Sequence, residues 1–419
     1  MNFKNKSLIL NFSGYTLINL FNSITPFIVL PILTLNLTPE DIGILDLFST
    51  SAIFITPLIG LCFVQSISKL YYVFSDKKKY LSSLFSSVFL LGFFFIIASA
   101  VVLFLTKIFL IPENLKILIL LIIIYVSLNI VIEGFLMLKR NEEKIKQFAI
   151  VRILKSLLEI SLTVIFLYYI DDYMLRVLAI ICSTSITFFY VLYLLINQSK
   201  ISFEINKEVL KKIFIYSTPL IFHTLFASIL NYADRYFIAD ILDVSQLGKY
   251  SVVYQLCMLL SLLINSFNMA WTPYFMKNMT SKKEEFLNKI PNLYKKYIIV
   301  LFAFSCVLFL IIPLIYKYYV GYDYIVDNKI YGVLILGYFF NGLYRFKVAY
   351  LFYYEKTISI AKLSFITAVI NLILNYFLIN EYGLLGAAFA TLVSYLVLYL
   401  LLEKLLINNK NEKINNNVI

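Results

Sequence analysis

Charge is scarce in this chain of 419 residues, and its scarcity excludes more than any motif suggests. Asp, Glu, Lys and Arg together make up 14% of it, well below the roughly 25% usual in soluble domains. Histidine occurs once, as His223, and tryptophan once. No Ser-His-Asp set can close, no Gly-rich phosphate loop is present, and no His/Cys spacing suits zinc. The four cysteines (Cys62, Cys182, Cys257 and Cys306) lie singly in apolar stretches and read as small core residues. A soluble catalytic domain is excluded, and an ATP-driven mechanism would require another chain. No metal or other cofactor is expected.

What the chain has instead is apolar length. Hydrophobic residues make up 61% of it. They gather into twelve stretches, near 8–33, 41–74, 81–110, 116–138, 149–170, 175–196, 213–238, 248–276, 294–318, 328–353, 359–379 and 384–407. A bilayer core about 30 Å thick takes about 20 apolar residues per helix. Twelve helices therefore consume most of the chain. The expected fold class is an all-α polytopic membrane protein of about 12 transmembrane helices. The first stretch is longer than the apolar region of a cleaved signal and reads as a retained helix.

The net charge is +12. In a soluble protein that excess would suggest nucleic acid, but here its distribution explains it. With the N-terminus placed in the cytoplasm, the segment ends on that side hold 24 Lys and Arg, and the opposite loops hold 6. Cytoplasmic loops of membrane proteins collect Lys and Arg. The bias predicts that both termini are cytoplasmic and makes a nucleic-acid partner unnecessary.

A repeat divides the chain. Leu37-Thr-Pro-Glu-Asp-Ile-Gly43 joins the first two stretches, and Leu242-Asp-Val-Ser-Gln-Leu-Gly248 joins the seventh and eighth, with Leu and Gly each displaced by 205 residues. Val191-Leu-Tyr-Leu-Leu195 recurs as Val397-Leu-Tyr-Leu-Leu401, displaced by 206. Six helices is an even number, so two such halves share one orientation. The expectation is two pseudo-symmetric six-helix lobes, 1–205 and 206–419, around a central cavity.

Polar residues recur at helical spacing inside several stretches. Asn11, Tyr15, Asn19, Asn22 and Pro26 share one face of the first. Ser261, Asn265, Asn268 and Thr272 share one of the eighth, and His223, Asn231 and Asp234 lie on the seventh. Such stripes either line a hydrated path or pack helix on helix. Their presence on three helices favours the path, with Asn19, Asn22, Asn231, Asn265, Asn268, His223 and Asn341 as its wall. Charges inside apolar stretches are few. The positive ones, Lys69, Arg152, Lys155, Arg345 and Lys347, fall in the cytoplasmic half and suit an anionic headgroup. Asp46, Glu133, Glu159, Asp234 and Arg235 are candidates for coupling or structural charge. Glu159 stands at i+4 from Lys155, within pairing reach. Neighbours on a helix point about 100° apart, so Asp234 and Arg235 are expected to pair elsewhere.

Pro31-Ile-Leu-Thr34…Leu37-Thr-Pro-Glu-Asp-Ile-Gly43 resembles the helix 1–2 junction of the polysaccharide flippases. These carry O-antigen and capsule repeat units and belong to the multidrug/oligosaccharidyl-lipid/polysaccharide exporter superfamily. Asn231-Tyr-Ala-Asp234-Arg235…Leu247-Gly248-Lys-Tyr250-Ser251 is similar to the start of their second half. Asn371-Leu-Ile-Leu-Asn375-Tyr376…Tyr382-Gly383-Leu-Leu-Gly386-Ala387-Ala388-Phe-Ala390-Thr391 is similar to their helix 11–12 region. The resemblance covers the whole chain in order. It departs at Leu35, where a basic residue often follows the Thr, and at Lys69, often Arg in the family.

The resemblance implies a transporter rather than an enzyme. It would flip oligosaccharide joined through diphosphate to undecaprenol from the inner to the outer leaflet of a bacterial cytoplasmic membrane, by alternating access, for O-antigen, capsule or lipopolysaccharide synthesis. Arg345, Lys155 and Arg152 would hold the diphosphate, and Asn19, Asn231, Asn265 and His223 the sugars. Membrane lipid, glycosyltransferases and a polysaccharide polymerase would be its partners. The drive, H+, Na+ or the membrane potential, stays open. The rival readings are an H+- or Na+-coupled multidrug exporter of the same superfamily and, further off, a membrane glycan polymerase or ligase, which would need a larger outer loop.

Overall fold

The computed structural model describes the backbone of residues 3–105, 113–198, 201–354 and 356–416, and the side chains of residues 18, 21–102, 115–198, 201–354, 356 and 358–407. Among the described residues there is no strand. As far as the described residues reach, each of the twelve apolar stretches falls on helix. Eight described helices are long and apolar enough to cross a membrane. This is an integral membrane protein.

The helices are α1 (Phe3–Asn36), α2 (Pro39–Ile59), α3 (Ile67–Val73), α4 (Lys77–Leu105), α5 (Glu113–Asn141), α6 (Ile145–Tyr169), α7 (Tyr173–Asn197), α8 (Lys207–Tyr232), α9 (Asp234–Ile241), α10 (Val244–Ser281), α11 (Lys283–Ile315), α12 (Asn328–Lys347), α13 (Ala349–Tyr353) and α14 (Thr357–Asn416). Three apolar stretches are therefore interrupted. The second breaks between α2 and α3, where Leu61 and Cys62 take φ of 46° and 52° and a 3-10 turn spans Val64–Ser66. The seventh divides into α8 and α9 at Ala233, and the tenth into α12 and α13 at Val348. The last two stretches are two helices that follow one another within α14, parted only at Gly383. Gly383 alone, at φ 58° and ψ −135°, turns α14 back on itself; glycine enters that region without steric cost.

The chain forms two compact units. One comprises 1–37 with 44–225, the other 38–43 with 226–419. The boundary falls inside α8, and the first turn of α2 clusters with the second unit.

In the first unit α6 packs on α7 and α1, and α5 on α4 and α7. Tyr80, Leu84, Phe85 and Phe135 are buried there, and the Tyr80 and Ser66 hydroxyls are 2.9 Å apart. In the second unit α12 packs on α14, α10 and α11. Trp271 stacks on Phe346 at 4.2 Å between centroids and donates Nε1–H to the Phe346 carbonyl at 2.9 Å. Outward faces carry large apolar side chains, among them Phe93, Phe94 and Ile97 on α4 and Ile299, Phe302 and Leu310 on α11. A water-facing surface would disfavour so continuous an apolar cover; lipid accepts it.

Candidate functional site

A charge at the centre of a bilayer costs about 3 kcal/mol on insertion scales, so intramembrane ions seek partners. The first unit meets this cost with pairs between helices. Arg152 Nη1 on α6 reaches Glu133 Oε1 on α5 at 2.5 Å. Arg176 on α7 donates to Glu159 Oε1 on α6 at 2.7 Å and to Thr163 Oγ1 at 2.5 Å. Lys155 Nζ donates to Asn129 Oδ1 at 2.5 Å and stands 5.5 Å from the centroid of the Tyr125 ring. No carboxylate lies within ion-pair distance of Lys155 among the described residues. Ser156, next along α6, donates to Asn22 Oδ1 on α1 at 3.0 Å.

The second unit does the reverse. Asp234 and Arg235, adjacent at the start of α9, pair with each other at 2.9 Å, and each side chain is only 4% exposed. The expectation that each pairs elsewhere is corrected. The arginine side chain is long enough to fold back along the helix, where its Nη1 also donates to the Asn231 carbonyl at 3.2 Å. Tyr250 donates to Asp234 Oδ2 at 2.9 Å. The guanidinium lies 4.3 Å from the Tyr254 ring centroid and 4.9 Å from that of Tyr232, in range for cation–π attraction. Tyr395 donates to Asn231 Oδ1 at 2.8 Å. A buried ion pair needs such extra partners to offset its desolvation. The two charges and these tyrosines thus form one buried cluster.

Lys347 pairs with Glu403 on α14 and stands 4.4 Å from the Tyr294 ring centroid. Arg345 differs. It is exposed on α12, and no ion-pair partner meets it among the described residues. Lys69 is also exposed, 5.6 Å from the ring centroid of Tyr216. Of the proposed wall, Asn341 is buried, His223 and Asn265 are exposed, and Asn22, Asn231 and Asn268 are half-buried. Asn265 Nδ2 and Ser261 Oγ are 3.5 Å apart, and Asn268 donates to the Ile264 carbonyl at 3.0 Å. Asp46 is half-buried on α2. The side chains of Asn11, Tyr15 and Asn19 lie outside the described residues.

Residues 8–279 match the sequence profile of the family described as polysaccharide biosynthesis protein. The chain belongs to that family. Two bacterial proteins with provisional names are similar to it. Lsg locus protein 1 of Haemophilus influenzae is 24% identical over 376 residues, which cover 85% of this chain and 87% of that one. An O-antigen transporter of Shigella flexneri is 25% identical over 268 residues, 62% of each chain. Among solved structures, an inward-facing multidrug resistance MATE family transporter of the MOP superfamily superposes with a TM-score of 0.72 at 15% identity, covering 90% of this chain and 92% of that one. The lipid II flippase MurJ in its inward closed conformation gives 0.66 at 16% identity, over 91% and 86%. This member of the polysaccharide biosynthesis family thus has the fold shared by those transporters.

The sequence missed two buried cations of this family member. Arg176 counts with an outer loop by position, yet it is buried against Glu159 and Thr163. Lys139 counts with an inner loop, yet it is fully buried and bonds Glu142 at 3.0 Å and Gln198 at 2.9 Å. Their signal was depth: each stands within three or four residues of a predicted helix end. The tyrosines of the Asp234 cluster carried no signal among the 33 in the chain.

Proposed function

We propose that this protein is a flippase that carries undecaprenyl-diphosphate-linked oligosaccharide repeat units from the inner to the outer leaflet of the bacterial cytoplasmic membrane, for O-antigen, capsule or related surface polysaccharide. Membership of the polysaccharide biosynthesis family supports a saccharide cargo. The O-antigen transporter among its relatives and the likeness in fold to a lipid II flippase agree with that cargo.

The observation that carries the reading is Arg345. It is an exposed guanidinium in the last turn of α12 with no carboxylate in ion-pair reach among the described residues, which leaves its five donors open to an anionic headgroup. Lys155, bonded to an amide oxygen and set against an aromatic face with no carboxylate in ion-pair reach among the described residues, is the second candidate. Arg152 and Lys347, paired with Glu133 and Glu403, are weaker candidates for the diphosphate. Exposed His223 and Asn265 are better placed for sugar hydroxyls than buried Asn341. With both termini in the cytoplasm, an inside-negative potential favours outward movement of an anion by about 2.3 kcal/mol per charge per 100 mV. H+ or Na+ coupling would add to that drive.

The test is transbilayer movement in proteoliposomes. A fluorescent undecaprenyl-diphosphate oligosaccharide should become accessible from the far leaflet faster with the protein than with empty vesicles, and Arg345→Ala should abolish the gain. Unchanged movement of the glycolipid, with transport of cationic drugs instead, would establish a multidrug exporter.

A further inference from the structure

The two motifs that reveal the repeat also meet in space, within the second unit. Pro39 opens α2 and Val244 opens α10, and 39 and 244 are related by the same shift of 205 residues. A Cβ placed on Gly43 would lie 2.0 Å from the Val244 carbonyl oxygen, and one on Gly248 would lie 1.7 Å from the Pro39 carbonyl oxygen. The contact is reciprocal: the glycine of each motif meets the first helical residue of the other. Both glycines are buried, and backbone touches backbone. Small residues permit such crossings in membranes.

The caps match as well. Thr38 N–H donates to Asp41 Oδ2 at 3.0 Å, and Asp41 N–H to Thr38 Oγ1 at 3.3 Å. Asp243, 205 residues after Thr38, accepts from Gln246 N–H at 2.6 Å through Oδ1. A side-chain cap fixes the first turn of a helix. Each glycine therefore sits five residues beyond its helix cap, Thr38 or Asp243, which sets its position against the partner carbonyl.

The crossing also explains why Thr38–Gly43 clusters with the second unit while the rest of α2 belongs to the first. We propose that the Gly43–Gly248 crossing is a latch: it holds the starts of α2 and α10 together in this conformation, and it parts when the transporter opens on the outer side. The proposal rests on the transporter reading and on the charge asymmetry that puts both helix starts outside. The two carbonyls and two Cα hydrogens leave no room for a side chain, so the latch closes only with glycine at both positions.

Hydrogen exchange of the full-length protein in lipid nanodiscs tests it. In Gly43→Ala, in Gly248→Ala and in the double variant, exchange in peptides spanning 36–48 and 242–252 should rise by about tenfold or more. Peptides from α5 and α12 should keep their wild-type rates. The double variant should be no worse than either single one, because both remove the same contact. Gly332→Ala, whose Cβ would meet only the Phe309 ring at 3.2 Å, should leave the two latch peptides unchanged.

Unchanged exchange at both helix starts overturns the latch, as does a rise spread over the whole second unit, which would mark a purely structural contact. If the alanine variants do not accumulate, Thr38→Ala loosens the first turn of α2 without adding an atom at the crossing. It should raise exchange in 36–48 alone. None of these readouts uses cargo. A latch that opens in a protein unable to move glycolipid would leave the latch standing and refute the flippase.

Discussion

The two units bury charge in opposite ways. The first distributes it: Arg152–Glu133 and Arg176–Glu159 each join two helices, and Lys155 bridges α6 to Asn129 of α5. The second concentrates most of it: Asp234 and Arg235 pair with one another among tyrosines, Lys347 with Glu403 joins α12 to α14, and Arg345 meets no ion-pair partner among the described residues. Ion pairs between helices fix how those helices sit against each other. A pair between neighbours on one helix adds no ion pair between helices.

The contrast can be broken in four places, in falling order of the stability at stake. Asp234→Ala leaves Arg235 charged and buried, and should cost about 3–5 kcal/mol. Thermal melting and protein level read that loss, and the double variant Asp234→Leu with Arg235→Leu should recover much of it. A double variant as unstable as the single one would show that the tyrosine shell, not the charge, is what fails.

Glu159→Gln should cost less, about 2 kcal/mol, because Arg176 keeps Thr163 and an amide oxygen. Since this pair spans α6 and α7, chemical denaturation should show both helices loosening together. Loosening of α6 alone would mean the cross-tie is weak. Arg345→Ala should change stability by less than about 0.5 kcal/mol, as exposed positions usually do, while glycolipid movement falls to background. Retained movement would remove Arg345 from the transport path. Smallest of all, His223→Gln should leave stability and the transport rate near wild type at pH 6 and at pH 8. A variant that loses the wild-type pH dependence would make His223 a coupling residue.

Much of this was legible in the sequence because hydrocarbon imposes strict rules. The apolar stretches and the rarity of charge inside them follow from those rules, and the structure returns the stretches as helix. Partnership was far less legible. Spacing along a helix offers Glu159 to Lys155 at i+4, but the carboxylate turns to Arg176 of another helix, a choice made by tertiary packing. The direction argument for Asp234 and Arg235 treated side chains as short spokes; an arginine is long enough to double back. The second stretch reads as one helix over 41–74, yet it breaks at Leu61 and Cys62, where positive φ ends the helix.

The single-glycine turn at Gly383 bears on how the chain reaches the membrane. With no loop between them to cross separately, the two arms of α14 must enter the bilayer as a hairpin, and Asn371 of the first arm finds Ser394 of the second at 3.1 Å. Until that second arm has left the ribosome, the buried amide of Asn371 lacks this partner, although its Oδ1 already accepts from Asn375 within the first arm. A chain cut short before Ser394 would therefore leave the Asn371 side-chain N–H without the partner it finds in the finished fold.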